Sequence, residues 1–125
     1  MTTLRIGIAS YDEMKARSIA IAKGEYRRKR GEPKEWFTSI ESVAKVLSDR
    51  NRALLELIAK TEPESLTELA ALSGRAKPNL SRTLKTMERH GLVRLKKGVG
   101  GSVAPRVLYS DIVLDMPVIA EKADR

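Results

Sequence analysis

The stretch Gly74–Gly98, GRAKPNLSRTLKTMERHGLVRLKKG, decides the fold. Pro78 suits a first helical turn, where its missing N–H leaves no bond unmade. Beyond it Leu80, Leu84 and Met87 recur at i, i+4 and i+7, the spacing of one buried helical stripe. Gly91 stops that pattern, and Val93 and Leu95 then alternate with Arg94 and Lys96, the period of a strand. A helix running directly into a strand is therefore written here.

Working upstream, Ser65 and Glu68 have the spacing of a capping box. They predict a short helix with Leu66, Leu69, Ala70 and Leu72, ended by Gly74. Two helices parted by a few residues around a glycine are the layout of a helix-turn-helix. Downstream, VGGS (99–102) has the glycines of a hairpin tip, and VAPRVLY (103–109) returns, with Pro105 at an edge or bulge. The hairpin makes the motif a winged one, with a recognition helix over 77–90 and a wing over 92–109.

Farther out, Thr38 and Glu41 predict a second capping box, opening a helix to about Leu47 with Val43, Val46 and Leu47 apolar. Asp49 can cap a further turn, so this helix continues or breaks near Ser48. RALLELIAK (52–60) then sets Leu54, Leu57 and Ile58 on one face, up to Pro63. At the start, TLRIGI (3–8) alternates like a strand, and Ser10 with Glu13 caps a helix to about Lys23. That helix offers Met14, Ala16, Ile19 and Ala20 for burial. EYRRKRGEPKEW (25–36) reads as a linker, and Trp36 and Phe37 as a hydrophobic staple ahead of Thr38. DIVLDMPV (111–118) is a last strand, and EKADR (121–125) is expected to fray. The expected fold is α+β, mainly α: a winged helix-turn-helix over 38–125, with an N-terminal strand-helix extension and linker over 1–37 and a C-terminal strand. The extension is assigned to dimerisation or partner binding.

Charge points to the partner. Net charge is +8, with 24 basic and 16 acidic residues. Between Leu66 and Tyr109 nine Lys/Arg face two acids, Glu68 and Glu88, a net +7, so the rest of the chain carries only +1. An excess confined to one motif reads as a surface for an anion, and nucleic acid is the commonest. On the recognition helix, Lys77, Asn79, Ser81, Arg82 and Lys85 lie opposite the buried stripe. Cations reach phosphates or guanine edges, and Asn pairs with adenine. Lys96 and Lys97 sit on the wing, and Arg75 and Arg106 complete the expected DNA-binding set.

LTELAALSGRAKPNLSRTLKTMERHGLVRLKKG (66–98) resembles the winged-helix core of the multiple-antibiotic-resistance-regulator (MarR) type, and MERHGLVRL (87–95) matches its ending closely. The resemblance covers Ser65 to Arg106, and Thr38 to Thr61 more loosely. Through LRIGIAS (4–10), EPKEWFTSIES (32–42) and LSDRNRALL (47–55), the chain also resembles small bacterial winged-helix proteins encoded beside toxin genes. That resemblance implies an antitoxin that represses its own operon, with double-stranded DNA, a second copy and a cognate toxin as partners. The chain departs from the MarR type where that family carries a long C-terminal dimerisation helix, since DIVLDMPV is strand-like.

Other classes find little support. There are no cysteines, and His90 is the only histidine, so no metal or thiolate site is expected. His90 instead suits a helix C-terminus, where a cation meets the dipole. No nucleophile–base pair or phosphate loop is evident, so no catalysis and no cofactor are expected. Asp111 and Asp115 read as a solvated strand face rather than a carboxylate dyad. Arg27 to Arg30 read as a linker balanced by Glu25, Glu32 and Glu35. No apolar run approaches the roughly 20 residues of a membrane span, and MTTLRIGIAS lacks a secretory layout, so a cytoplasmic protein is expected. The expected function is a sequence-specific DNA-binding repressor. The alternative is a protein-interaction antitoxin that occludes a toxin and binds DNA only weakly and non-specifically.

Overall fold

The structure is a computed structural model and describes residues 2–119; the expected frayed end at 121–125 lies outside them. The fold is mixed α+β, with five α-helices and two small sheets among the described residues. Strand β1 (Thr2–Ile8) leads to helix α1 (Tyr11–Ala22) and the short strand β2 (Glu35–Phe37). Four helices follow: α2 (Ile40–Val46), α3 (Asp49–Thr61), α4 (Leu66–Ser73) and α5 (Lys77–Arg89). A hairpin of β3 (Val93–Lys97) and β4 (Val103–Val107) leads into β5 (Tyr109–Asp115).

The first sheet has the order β2-β1-β5, and both pairings are parallel. Parallel neighbours need a crossover. Helix α1 supplies one for β1 and β2, and the whole helical layer with its hairpin supplies the other for β1 and β5. The central strand is the most enclosed, with Leu4 and Ile6 almost fully buried. They enter the same apolar core as Leu54, Ile58, Leu69, Leu80, Leu84 and Met87. The N-terminal strand thus shares one core with the helices. On the opposite face of β1, Gly7 lies under Trp36, where a Cβ would come within 2.6 Å of the ring.

Serines set the starts of α1 to α4. Ser10 and Glu13 exchange both bonds of a capping box, at 3.1 and 2.9 Å. The expected Thr38–Glu41 box does not form. Ser39 is the cap instead, and Ser42 returns the bond to its N–H. Phe37 and Trp36 accordingly belong to a strand rather than to a staple, and the segment read as linker contains β2. The helix does break at Ser48, whose hydroxyl caps α3. Ser65 accepts from Glu68 N–H at 3.0 Å, but the Glu68 carboxylate accepts from Glu64, one residue earlier than expected. Gly74, at φ 72°, closes α4 in the left-handed region that glycine enters freely.

Helix α1 buries less than its sequence promised: none of its residues is fully buried, and Ala16 and Ile19 are exposed. It is held by a polar cluster. Glu32 accepts hydrogen bonds from the Arg17 guanidinium and the Tyr26 hydroxyl. The guanidinium lies 4.9 Å from the Tyr26 ring centroid and 5.2 Å from that of Trp36, within cation–π range. Burial opposes the Glu32 charge, but the bonds from Tyr26 and Arg17 outweigh it and hold the carboxyl below its ordinary range. A depressed carboxyl stabilises the fold above its unfolded value, and the gain is lost as pH falls through the folded value. Glu32→Gln is therefore expected to cost about 1–2 kcal/mol at pH 7. The gap from wild type should close on acidification below pH of about 4, measured by thermal melts across pH. A gap that stays constant into acid would show that the carboxylate charge does not hold α1.

Candidate nucleic-acid interface

Four of the five helices begin alike. Helices α1 to α4 are each capped by a serine side chain and carry an acid in the first turn. Helix α5 has neither: Ala76 precedes it with no side-chain cap, and its first turn holds no acid. Its unpaired N–H groups and positive dipole end are left uncompensated, a disposition that suits an anion.

One face of α5 is wholly committed to the core, with Leu80, Leu84 and Met87 at 0% exposure. The other face presents Lys77, Asn79, Arg82 and Lys85 to solvent, with Ser81 half-buried beside them. Lys77 Nζ donates to Thr67 Oγ1 of α4 at 3.1 Å, and Arg82 donates to Asn79 Oδ1 one turn away. These are exposed bonds that a ligand can exchange. The helix is about 20 Å long, long enough to lie across a major groove about 12 Å wide.

The hairpin adds a second basic edge. Lys96 and Lys97 are exposed on β3, opposite Ala104 and Val103. The tip turns through Gly100 and Gly101, at φ 69° and 78°, and closes with Gly98 N–H on the Ser102 carbonyl at 2.8 Å. The hairpin spans 93–107 rather than 92–109. Leu108 breaks it, and Tyr109 joins the other sheet as the first residue of β5.

Two of the expected cations are engaged inside the fold. Arg75 donates to Asn51 Oδ1 at 3.2 Å and to the Arg50 carbonyl at 2.8 Å, tying the turn before α5 to α3. Burial, and then the nearby Arg50 charge, lower its pKa. Arg106 donates to the Pro63 and Pro105 carbonyls, each at 2.7 Å, and pairs with Glu64 at 3.1 Å and Glu62 at 3.8 Å. Its charge is already matched. Of the expected set, that leaves Lys77, Asn79, Arg82 and Lys85 exposed on α5, with the half-buried Ser81 beside them, and Lys96 and Lys97 exposed on the hairpin. Neither Lys45 nor Arg89 belongs to the expected set; both line a groove between α2, α3 and α5, together with Asn51, Thr83 and Thr86.

The C-terminal end of α5 is fixed from an unexpected side. His90 Nδ1 lies 2.7 Å from Glu35 Oε2, and its ring stacks on Phe37 with centroids 4.2 Å apart. Glu35 and Phe37 are alternate residues of β2, so the short strand clasps the end of α5. Arg27 to Arg30 are all exposed, as a solvated linker requires; Glu32 and Glu35 are engaged elsewhere, and among the described residues no carboxylate forms an ion pair with those four cations. Asp115 pairs with Arg5 at 3.9 Å, and Asp111 accepts from Ser110 at 2.9 Å. No group of three or more His, Asp or Glu among the described residues converges to hold a metal ion. No helix among them is long and apolar enough to cross a membrane.

A family model, HVO_A0114, matches residues 46–114, more than half of the 125-residue chain. No curated protein matches the chain, and no solved structure does.

Proposed function

The chain belongs to the HVO_A0114 family, and we propose that it is a non-enzymatic, DNA-binding transcriptional regulator of winged helix-turn-helix architecture, acting as a repressor. Helix α4, the Gly74 turn and α5 would form the helix-turn-helix, and the β3–β4 hairpin the wing. Helix α5 is the recognition helix of this reading, its uncapped N-terminal end entering the major groove. Arg82, Lys85 and Asn79 read base edges or phosphates there, and Lys96 and Lys97 lie along the backbone. One observation carries the reading: among the α-helices of the described residues, α5 alone lacks both a side-chain cap and a first-turn acid, and it exposes a cationic face opposite a fully buried stripe.

The MarR-type resemblance and the antitoxin role remain part of this proposal. One helix reads few base pairs, so specificity calls for a dimer with half-sites about one helical turn apart. Selection from a random duplex pool tests the reading. The expected product is a two-fold symmetric site with half-site centres about 10 base pairs apart; a pool that stays featureless would overturn it. A second reading, a module that occludes a toxin, draws on one observation: the apolar outer edge of β5, with which no other strand of the described residues pairs. In that reading the α5 cations are dispensable.

A further inference from the structure

The two edges of the parallel sheet are treated differently. At one edge β2 is three residues long, follows Pro33, and has Glu35 and Phe37 engaged with His90. Such an edge is blunted against further pairing. At the other edge β5 runs for seven residues with no Lys, Arg or Pro. Exposed large apolar side chains concentrate there: Ile112, Val113, Leu114 and Met116, followed by Val118 and Ile119. Elsewhere such residues are isolated, as at Leu72 or Val99.

We propose that the free edge of β5 pairs antiparallel with β5 of a second copy, about a two-fold axis at Val113. This deepens the dimer within the DNA-binding reading and rests on that reading for its use, though not for its geometry. A two-fold contact must be self-complementary, and Asp111-Ile112-Val113-Leu114-Asp115 has the same chemistry in both directions. Val113 meets Val113, and Ile112 meets Leu114 on one face. The register sets Asp111 opposite Asp115 of the second copy, and each Asp115 has a partial counter-charge 3.9 Å away in Arg5 of its own chain, on the neighbouring strand β1. The same register sets Met116 of the second copy opposite Ser110. There an apolar groove opens between α3 and β5, lined by Leu55, Ala59, Tyr109 and Ile112. The result is one six-stranded sheet, and an axis normal to it keeps both helical layers, and hence both α5 helices, on the same side.

The absence of native cysteine allows a direct test. Across a pair on the axis, Cα atoms are about 4.5–5.5 Å apart, within disulfide range. Val113→Cys in the full chain, oxidised without added catalyst, is expected to become almost entirely a disulfide dimer. Val99→Cys at the hairpin tip, 98% exposed, should stay largely uncrosslinked. By sedimentation the wild type should run at twice 13.9 kDa. Leu114→Lys and Met116→Lys, each folded by circular dichroism, should run as monomers. A wild type that is monomeric at tens of micromolar, or cross-linking no faster at position 113 than at 99, overturns the interface. A monomer that still selects its duplex would refute this interface alone. A β5-linked dimer that ignores DNA would refute the DNA-binding reading alone.

Discussion

Replacing Arg82 and Lys85 together by alanine is expected to weaken binding to a specific duplex by one to three orders of magnitude. A lost base contact costs about 1–3 kcal/mol. A lost phosphate contact removes about 0.9 from the slope of log affinity against log salt. If both side chains touch phosphate, the slope falls by about 2, and the loss is equal for all sequences. If one reads a base, discrimination between cognate and scrambled duplex narrows as well. Stability should hardly change, because both residues are exposed and such positions move stability by about 0.5 kcal/mol or less. A large fall in melting temperature would show that this face of α5 is structural. An unchanged affinity would place the DNA contact elsewhere.

Leu84→Ala should do the opposite. The side chain is at 0% exposure, one turn from Leu80 and Met87, in the core that also receives Leu69 of α4. Truncation of such a leucine costs about 2–5 kcal/mol, according to how far the cavity collapses. For a chain of this length that is a fall of about 8–20 °C in melting temperature. The loss is a large share of the 5–15 kcal/mol that holds an ordinary domain. Well below the new midpoint, DNA affinity per folded molecule should stay near wild type. The two substitutions together separate the faces of one helix: one removes function with the fold intact, the other removes stability with the binding face intact.

Local chemistry was legible where it was self-contained. The i, i+4, i+7 stripe of α5, the alternation of β3, the Gly74 stop and the Ser10–Glu13 box are each decided within a few residues, and the structure shows all of them. The start of α2 was misplaced by one residue because Thr38 and Ser39 are both good caps. The choice rests on Ser42, whose hydroxyl serves Ser39 as Glu41 would have served Thr38. Strand β2 escaped notice because three residues after a polar run carry no period, and its pairing with β1 is set by tertiary contact. The apolar residues of α1 suggested burial, but they form no continuous stripe, and the helix is held by the Arg17–Glu32–Tyr26 cluster instead.

The site was legible in its charge and less so in its boundaries. Composition cannot tell a cation that faces solvent from one that ties a loop. Arg82 and Arg106 look equivalent in sequence, yet Arg106 is matched by Glu62 and Glu64, residues more than forty positions away. The clasp of His90 by Glu35 and Phe37 spans a similar distance and has no local signal. The apolar edge of β5 was visible as a strand, but its exposure follows from its place at the end of the sheet.

Fluorescence anisotropy of a labelled duplex from the region upstream of the coding sequence, beside a scrambled duplex and across a salt series, tests the central claim most directly. The account predicts tighter binding to the native duplex, persisting near 0.15 M salt, with a steep linear dependence on log salt. Equal and weak binding to both duplexes, vanishing as salt rises, would contradict it: the cations of α5 and the hairpin would then be only a charged surface.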